Sequence, residues 1–124
     1  YDAEGHLTEL VYPSGYEVHS SYDDLNRLDQ RDDGDDNLLA DYDYDAMRRT
    51  GLTVFNAGTE VSFTSYTYDD ANDKPDHLIS LSNWKADTDV AISTFDYTYD
   101  NEGNRESMEV GPAWDRVVWF WVCR

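Results

Sequence analysis

The sequence predicts an all-β chain of consecutive antiparallel β-hairpins, and three observations predict it. The dipeptide Tyr-Asp recurs at 1–2, 22–23, 44–45, 68–69 and 99–100, with an extra copy at 42–43. Of the 27 acidic residues, 20 are Asp and 7 are Glu. Asp supports tight turns and is poor in helix interiors, so the acid here reads as turn chemistry. Between the turns, Tyr alternates with Thr, Ser, Val and Ile, the composition of strands. A recurring motif is the signature of repeat architecture.

Each copy reads as a strand running into a tight turn. Tyr1-Asp2-Ala3-Glu4-Gly5-His6-Leu7 aligns with Tyr22-Asp23-Asp24-Leu25-Asn26-Arg27-Leu28, and both align with Tyr44-Asp45-Ala46-Met47-Arg48. Tyr68-Asp69-Asp70-Ala71-Asn72-Asp73 and Tyr99-Asp100-Asn101-Glu102-Gly103-Asn104 complete the set. The Asp carboxylate can accept backbone N–H groups further along the turn. The fifth position holds Gly5, Asn26, Asn72 or Gly103, residue types that tolerate a positive φ. Arg48 breaks that rule, so the third turn is expected to differ or to be strained.

A second class of turn is expected between these: Pro13-Ser14-Gly15, Asp33-Gly34-Asp35, Asn56-Ala57-Gly58 and 85–89. Two turns per period give one hairpin per repeat. Nine strands follow, at about 6–12, 16–22, 27–31, 38–44, 50–55, 60–68, 77–84, 90–99 and 105–110. In 38–45, Leu38, Ala40, Tyr42 and Tyr44 share one face, and Leu39, Asp41, Asp43 and Asp45 share the other. In 60–68 and 90–99 the tyrosines oppose Val61 and Phe63, and Val90 and Ile92. This calls either for a bulge or for two partly covered faces. Residues 1–110 form the repeat array of about five repeats; 111–124 is a Trp-rich tail or a last strand.

Net charge is −18, from 27 acidic and 9 basic residues, which repels phosphate backbones and anionic membranes. A nucleic-acid partner is not expected. The longest apolar run, 117–123, is far shorter than the roughly 20 residues of a membrane span. With few aliphatic residues, the core is expected to be built from tyrosine rings whose hydroxyls stay paired or wet. The single cysteine, Cys123, excludes an intrachain disulfide and reads as an inert thiol. The chain starts within a motif at Tyr1, which reads as a piece of a longer protein.

These residues carry a family resemblance over about 1–110. Its most specific parts are Tyr1 to Leu7, Tyr12-Pro13-Ser14-Gly15 and Tyr97 to Arg105. The pattern resembles the YD-repeat (Rhs) family of bacterial toxin-delivery proteins, related in architecture to the teneurin shell. The resemblance implies a curved repeat sheet, a partial YD shell, in a secreted or cell-surface protein. In complete members such a shell encloses a C-terminal toxin, and other members serve in adhesion. Its partners would be the remaining repeats of the parent chain and an enclosed toxin. Too few repeats are present here to close a shell.

The candidate site residues are therefore structural: Tyr1, Asp2, Gly5, Tyr22, Asp23, Asn26, Tyr44, Asp45, Tyr68, Asp69, Asn72, Tyr99, Asp100 and Gly103. No catalytic residue is expected. Asp41, Asp43 and Asp45 would stand about 6–7 Å apart along a strand. A general acid, however, needs a cleft and a raised pKa. Asp32, Asp33, Asp35, Asp36, Asp69 and Asp73 lie in oxygen-rich loops of a kind that Ca²⁺ accepts, but outside EF-hand spacing. Turn-forming Asp accounts for them without a metal, and no cofactor is expected. His6, His19 and His77 are too scattered for a zinc motif. The alternative function is a carbohydrate- or Ca²⁺-dependent adhesion module, with Trp84 and the terminal tryptophans as sugar platforms.

Overall fold

The computed structural model describes residues 1–70, 74–88, 90–111 and 117–120, with Pro75 and 117–120 described by backbone only. The chain divides into two compact units, Tyr1–Val61 and Ser62–Arg124. The first holds β1 (Glu9–Val11), β2 (Glu17–Tyr22), β3 (Leu28–Asp33), β4 (Leu38–Asp45) and β5 (Arg48–Asn56). The second holds most of β6 (Thr59–Asp69), with β7 (Lys74–Lys85), β8 (Val90–Tyr99), β9 (Arg105–Gly111) and β10 (Val117–Phe120). Within each, strand order is sequence order and every described pairing is antiparallel. The fold is all-β, and its unit is the hairpin.

One loop geometry recurs. At Asp23 the N–H donates to the Arg27 carbonyl, and Asn26 N–H donates to the Asp23 carbonyl, each at 2.9 Å. Asp2, Tyr12, Asp33 and Asp100 begin loops with the same pair of bonds. This is the three-residue hairpin loop, a type I turn followed by one left-handed residue. The left-handed positions are Gly5, Gly15, Asn26, Asp36 and Gly103, with φ between 60° and 90°. The expected split into two turn classes is thus corrected at Pro13-Ser14-Gly15 and at Asp33-Gly34-Asp35. Both use the geometry of the Tyr-Asp turns.

The third Tyr-Asp turn does differ. Asp45 pairs directly with Arg48, leaving a two-residue loop of Ala46 and Met47, with Ala46 at φ 50°. The shorter loop removes the position that glycine or asparagine would fill, so Arg48 sits in the strand. Ala57-Gly58 is the other short loop, with both residues at positive φ (50° and 74°), the arrangement of a type I′ hairpin.

The strands are bulged at fixed places. Register shifts fall immediately before Tyr22, Tyr44, Tyr68 and Tyr99, with one extra residue on the returning strand: Asp29, Thr50, Ile79 and Glu106. Leu39 and Ile92 are extra in β4 and β8. A bulge bends the strand and reverses which face later side chains occupy. Both readings of the conflicting faces therefore hold. Ile92 is a bulged residue, 57% exposed, whereas Phe63 lies on the face opposite Tyr66 and stacks on Trp84 at 5.7 Å.

Among the described residues, Ala91 is the only buried hydrophobic side chain, at 4% exposure. The expected tyrosine core is corrected accordingly. Tyr22, Tyr42, Tyr44, Tyr66, Tyr68, Tyr97 and Tyr99 are half-buried, while Tyr1, Tyr12 and Tyr16 are exposed, because the described strands meet their neighbours in sequence and no second layer of strands is described over them. Beside the nine strands expected over 1–110, the described residues hold a tenth, within the stretch expected to be a tail or a last strand: Val117–Phe120 pairs with Ser107 to Val110 of β9.

Candidate functional site

The loops place the aspartates. In each three-residue loop that begins with Asp, one carboxylate oxygen accepts two backbone N–H groups. For Asp2 these come from Glu4 and His6 at 3.1 and 2.8 Å. Asp23 accepts from Leu25 and Arg27 at 2.9 and 3.0 Å. Asp33 accepts from Asp35 and Asn37 at 3.0 and 2.9 Å. Asp100 accepts from Glu102 and Asn104, both at 2.9 Å. These donors favour the ionised form. The Arg27 side chain and N–H hold the Asp23 carboxyl below the ordinary value of 3.8. Donors from Asn37 and Asn104 lower Asp33 and Asp100 likewise. At Asp2, partial burial pushes upward and is outweighed by the His6 N–H, ring and charge.

The second carboxylate oxygen takes the side chain that ends the loop. His6 Nδ1 lies 2.8 Å from Asp2, Arg27 Nε donates to Asp23 at 2.6 Å, and Asn37 and Asn104 donate to Asp33 and Asp100 at 3.1 Å. Where that residue is His or Arg, it also covers the tyrosine of the next repeat. His6 stacks on Tyr22 at 4.3 Å, and the Arg27 guanidinium lies 4.3 Å over the Tyr44 ring. His77 stacks on Tyr99 at 4.2 Å.

The tyrosine completes the tie. Tyr22 donates its hydroxyl to the Leu7 carbonyl at 3.1 Å, Tyr44 to Leu28 at 2.8 Å and Tyr99 to Leu78 at 2.8 Å. The accepting carbonyl follows the stacking His or Arg directly. At Asp2 and Asp23, one Asp thus orients an imidazole or a cation, that group carries the next tyrosine, and the tyrosine fastens back to the chain beside it. His77 carries Tyr99 with no partner at its Nδ1 among the described residues. The role of the loop-ending residue was not read from sequence. The recurrence of His6 and Arg27 five residues after Tyr1 and Tyr22 was the available signal.

The remaining expected residues fall as follows. Tyr1 is 83% exposed. Asp45 binds Arg48 at 2.6 Å. Tyr68 lies opposite Leu78, and Asp69 opposite Lys74. Gly103 approaches His77, whose Nε2 would lie 3.3 Å from an added Cβ. Asn72 and Asp73 lie outside the described residues. Of the oxygen-rich loop, Asp33 is committed to its turn, Asp36 is the left-handed residue and Asp35 is exposed. Asp32 and Asp36 do converge, but on His19, with ligand atoms within 4.8 Å of one another.

A cleft of about 610 Å³ lies at the loop end of the second unit, lined by Asp69, Lys74, His77, Tyr97, Tyr99 and Asp100 among others. A smaller one, about 260 Å³, lies between Tyr16, Glu17, Asp33 and Asp35. Both clefts lie open to solvent rather than enclosed. The resolved shifts at Asp2, Asp23, Asp33, Asp87 and Asp100 are all downward. At Asp2, Asp23, Asp33 and Asp100 the lowering comes from donors within the turn, and at Asp87 chiefly from Lys85; in each case it is the opposite of what a general acid requires.

Residues 1–38 match the RHS repeat family. Comparison with curated proteins finds no match. Among solved structures, the chain resembles one in the Photorhabdus luminescens Tc holotoxin pore, at 18% identity and a TM-score of 0.72. It also resembles one in the TcdB2–TccC3–Cdc42 complex, at 18% identity and a TM-score of 0.73. Each match covers 90% of this chain and 5% of the other, so the chain spans about one twentieth of those proteins' length.

Proposed function

We propose that this chain, with an RHS repeat at residues 1–38, is a non-catalytic length of protein wall. In this reading it is one strip of the β-shell of a larger secreted or surface protein that encloses a C-terminal toxin. The observation that carries the proposal is the tie from Tyr44 and Tyr99 to the preceding strand, and from Tyr22 to Leu7 just ahead of β1. Hairpins that are each fastened to the one before extend indefinitely without a separate core, as nearest-neighbour arrays do. The matched stretch is 5% of proteins named for toxin complexes, which supports the same reading. The partners would be further repeats of the parent chain and the enclosed toxin.

The test uses the parent protein. Its segment C-terminal to the repeats should resist protease while the shell is intact and become cleavable when denaturant opens it. A segment as accessible as an ordinary linker overturns enclosure. The 124-residue chain should also give a flat response to a glycan panel and to Ca²⁺ titration. Saturable binding of either favours an adhesion module.

A further inference from the structure

We propose that the larger cleft of the second unit binds an organic carboxylate, a small molecule that joins one carboxylate group to a flat apolar body. The cleft measures about 610 Å³, within the range of roughly 300–1,000 Å³ usual for small-molecule sites. Its lining sorts into apolar surface, polar groups already engaged and polar groups still without a partner. Ile79 and the Tyr97 ring supply apolar surface, and the His77 ring, stacked on Tyr99 at 4.2 Å, supplies a flat one. The engaged groups include every carboxylate. Asp100 uses both oxygens within its own turn, and Asp69 has contacts of its own. Thr98 shares its hydroxyl with Ser107 at 2.6 Å, and Tyr99 gives its hydroxyl to the Leu78 carbonyl. Among the described residues, the lining side chains that form no hydrogen bond or ion pair through their polar ends include the Lys74 ammonium, the Asn101 amide and the Tyr97 hydroxyl. Each of these can donate. The cleft therefore offers donors to a ligand that accepts.

The burial of Lys74 points independently to an anion. Lys85, the other described lysine, is exposed and paired with Asp87 at 2.9 Å. Lys74 is half-buried, and its ammonium reaches no carboxylate within ion-pair distance, in a chain with 27 acidic residues. Withdrawing a charge from water without a partner is costly. An anion arriving from outside offsets that cost. One ammonium with two neutral donors matches the single charge of a carboxylate. A phosphate dianion would meet twice the repulsion from Asp69 and Asp100, which keep their charge at the cleft wall. The apolar surface at Ile79, Tyr97 and His77 selects a ligand with a body, so acetate alone is too small to use the site.

Titration of the full chain with phenylacetate, followed through the ring resonances of His77, Tyr97 and Tyr99, tests this. The expected result is shifts of these rings that saturate together. Acetate, which lacks the body, and phenylacetamide, which lacks the charge, should each bind about 10-fold more weakly or worse. Lys74→Gln should weaken phenylacetate by about 10-fold or more, while Lys85→Gln leaves it unchanged. Tyr97→Phe removes one donor and keeps the ring. It should weaken binding by roughly 2- to 10-fold, and it keeps the test valid if Lys74→Gln unfolds. Shifts that never saturate, acetate or phenylacetamide binding as tightly as phenylacetate, or an affinity unchanged in a folded Lys74→Gln variant overturns the proposal.

Discussion

An aspartate in these loops does two jobs with two oxygens. One gathers backbone N–H groups and the other fixes the side chain that closes the loop, as at Asp23 with Leu25, Arg27 N–H and Arg27 Nε. Because the Asp23 carboxyl is lowered below 3.8, its charged form is worth more folded than unfolded. That contribution is complete above the unfolded value and is lost as pH falls through the native one. Asp23→Asn keeps the backbone-accepting oxygen and removes the charge. The variant should melt lower than the parent at neutral pH, and the difference should shrink to nothing in strong acid, read by thermal melts across pH.

Residue conformation gives a second prediction. Ala57 holds φ 50° before Gly58 at 74°, a loop that favours Asn-Gly. A left-handed alanine costs roughly 1–2 kcal/mol. Ala57→Asn should therefore raise stability by up to about 1 kcal/mol in denaturant melts.

At the scale of the hairpin, the turn and the aromatic stack are one device. Gly103 shows the coupling. Its φ of 85° excludes an easy side chain, and an added Cβ would lie 3.3 Å from Nε2 of the His77 ring that stacks on Tyr99. Gly103→Ala should cost about 1–2 kcal/mol for the left-handed backbone. It should also disturb the His77 and Tyr99 ring resonances together, which a purely local effect on the turn would not do.

Much of the hairpin was legible in the sequence. Asp with Gly or Asn three residues later has turn chemistry of its own, and Arg48 correctly signalled an altered loop. The bulges at Asp29, Thr50, Ile79 and Glu106 were not legible, because an extra residue alters register without a distinctive side chain. The tyrosine ties were hidden for a related reason. Their acceptors at Leu7, Leu28 and Leu78 are backbone carbonyls, which every residue owns. The convergence of Asp32 on His19 depends on strand register, since the two are 13 residues apart in sequence but opposite in space.

Over the whole molecule, electrostatics works against the fold. With 27 acidic and 9 basic residues, most carboxylates have no cation to pair with and repel one another. Salt should therefore stabilise the chain. Melting temperature should rise between about 0.01 M salt, where charges act over about 30 Å, and 0.15 M, where they act over about 8 Å. A fall would mean that the Arg27–Asp23 and Arg48–Asp45 pairs outweigh the general repulsion.

The tyrosine ties are the central claim, and removing single hydroxyls tests them most directly. Tyr44→Phe and Tyr99→Phe each delete one 2.8 Å bond to a preceding strand and leave the ring in place. Tyr16, in the loop-flanking pair with Tyr12, is 47% exposed and serves as the comparison. Denaturant melts of the three variants should show losses of about 0.5–1.5 kcal/mol for Tyr44→Phe and Tyr99→Phe, with Tyr16→Phe indistinguishable from the parent. Equal and negligible losses at all three positions would contradict the account.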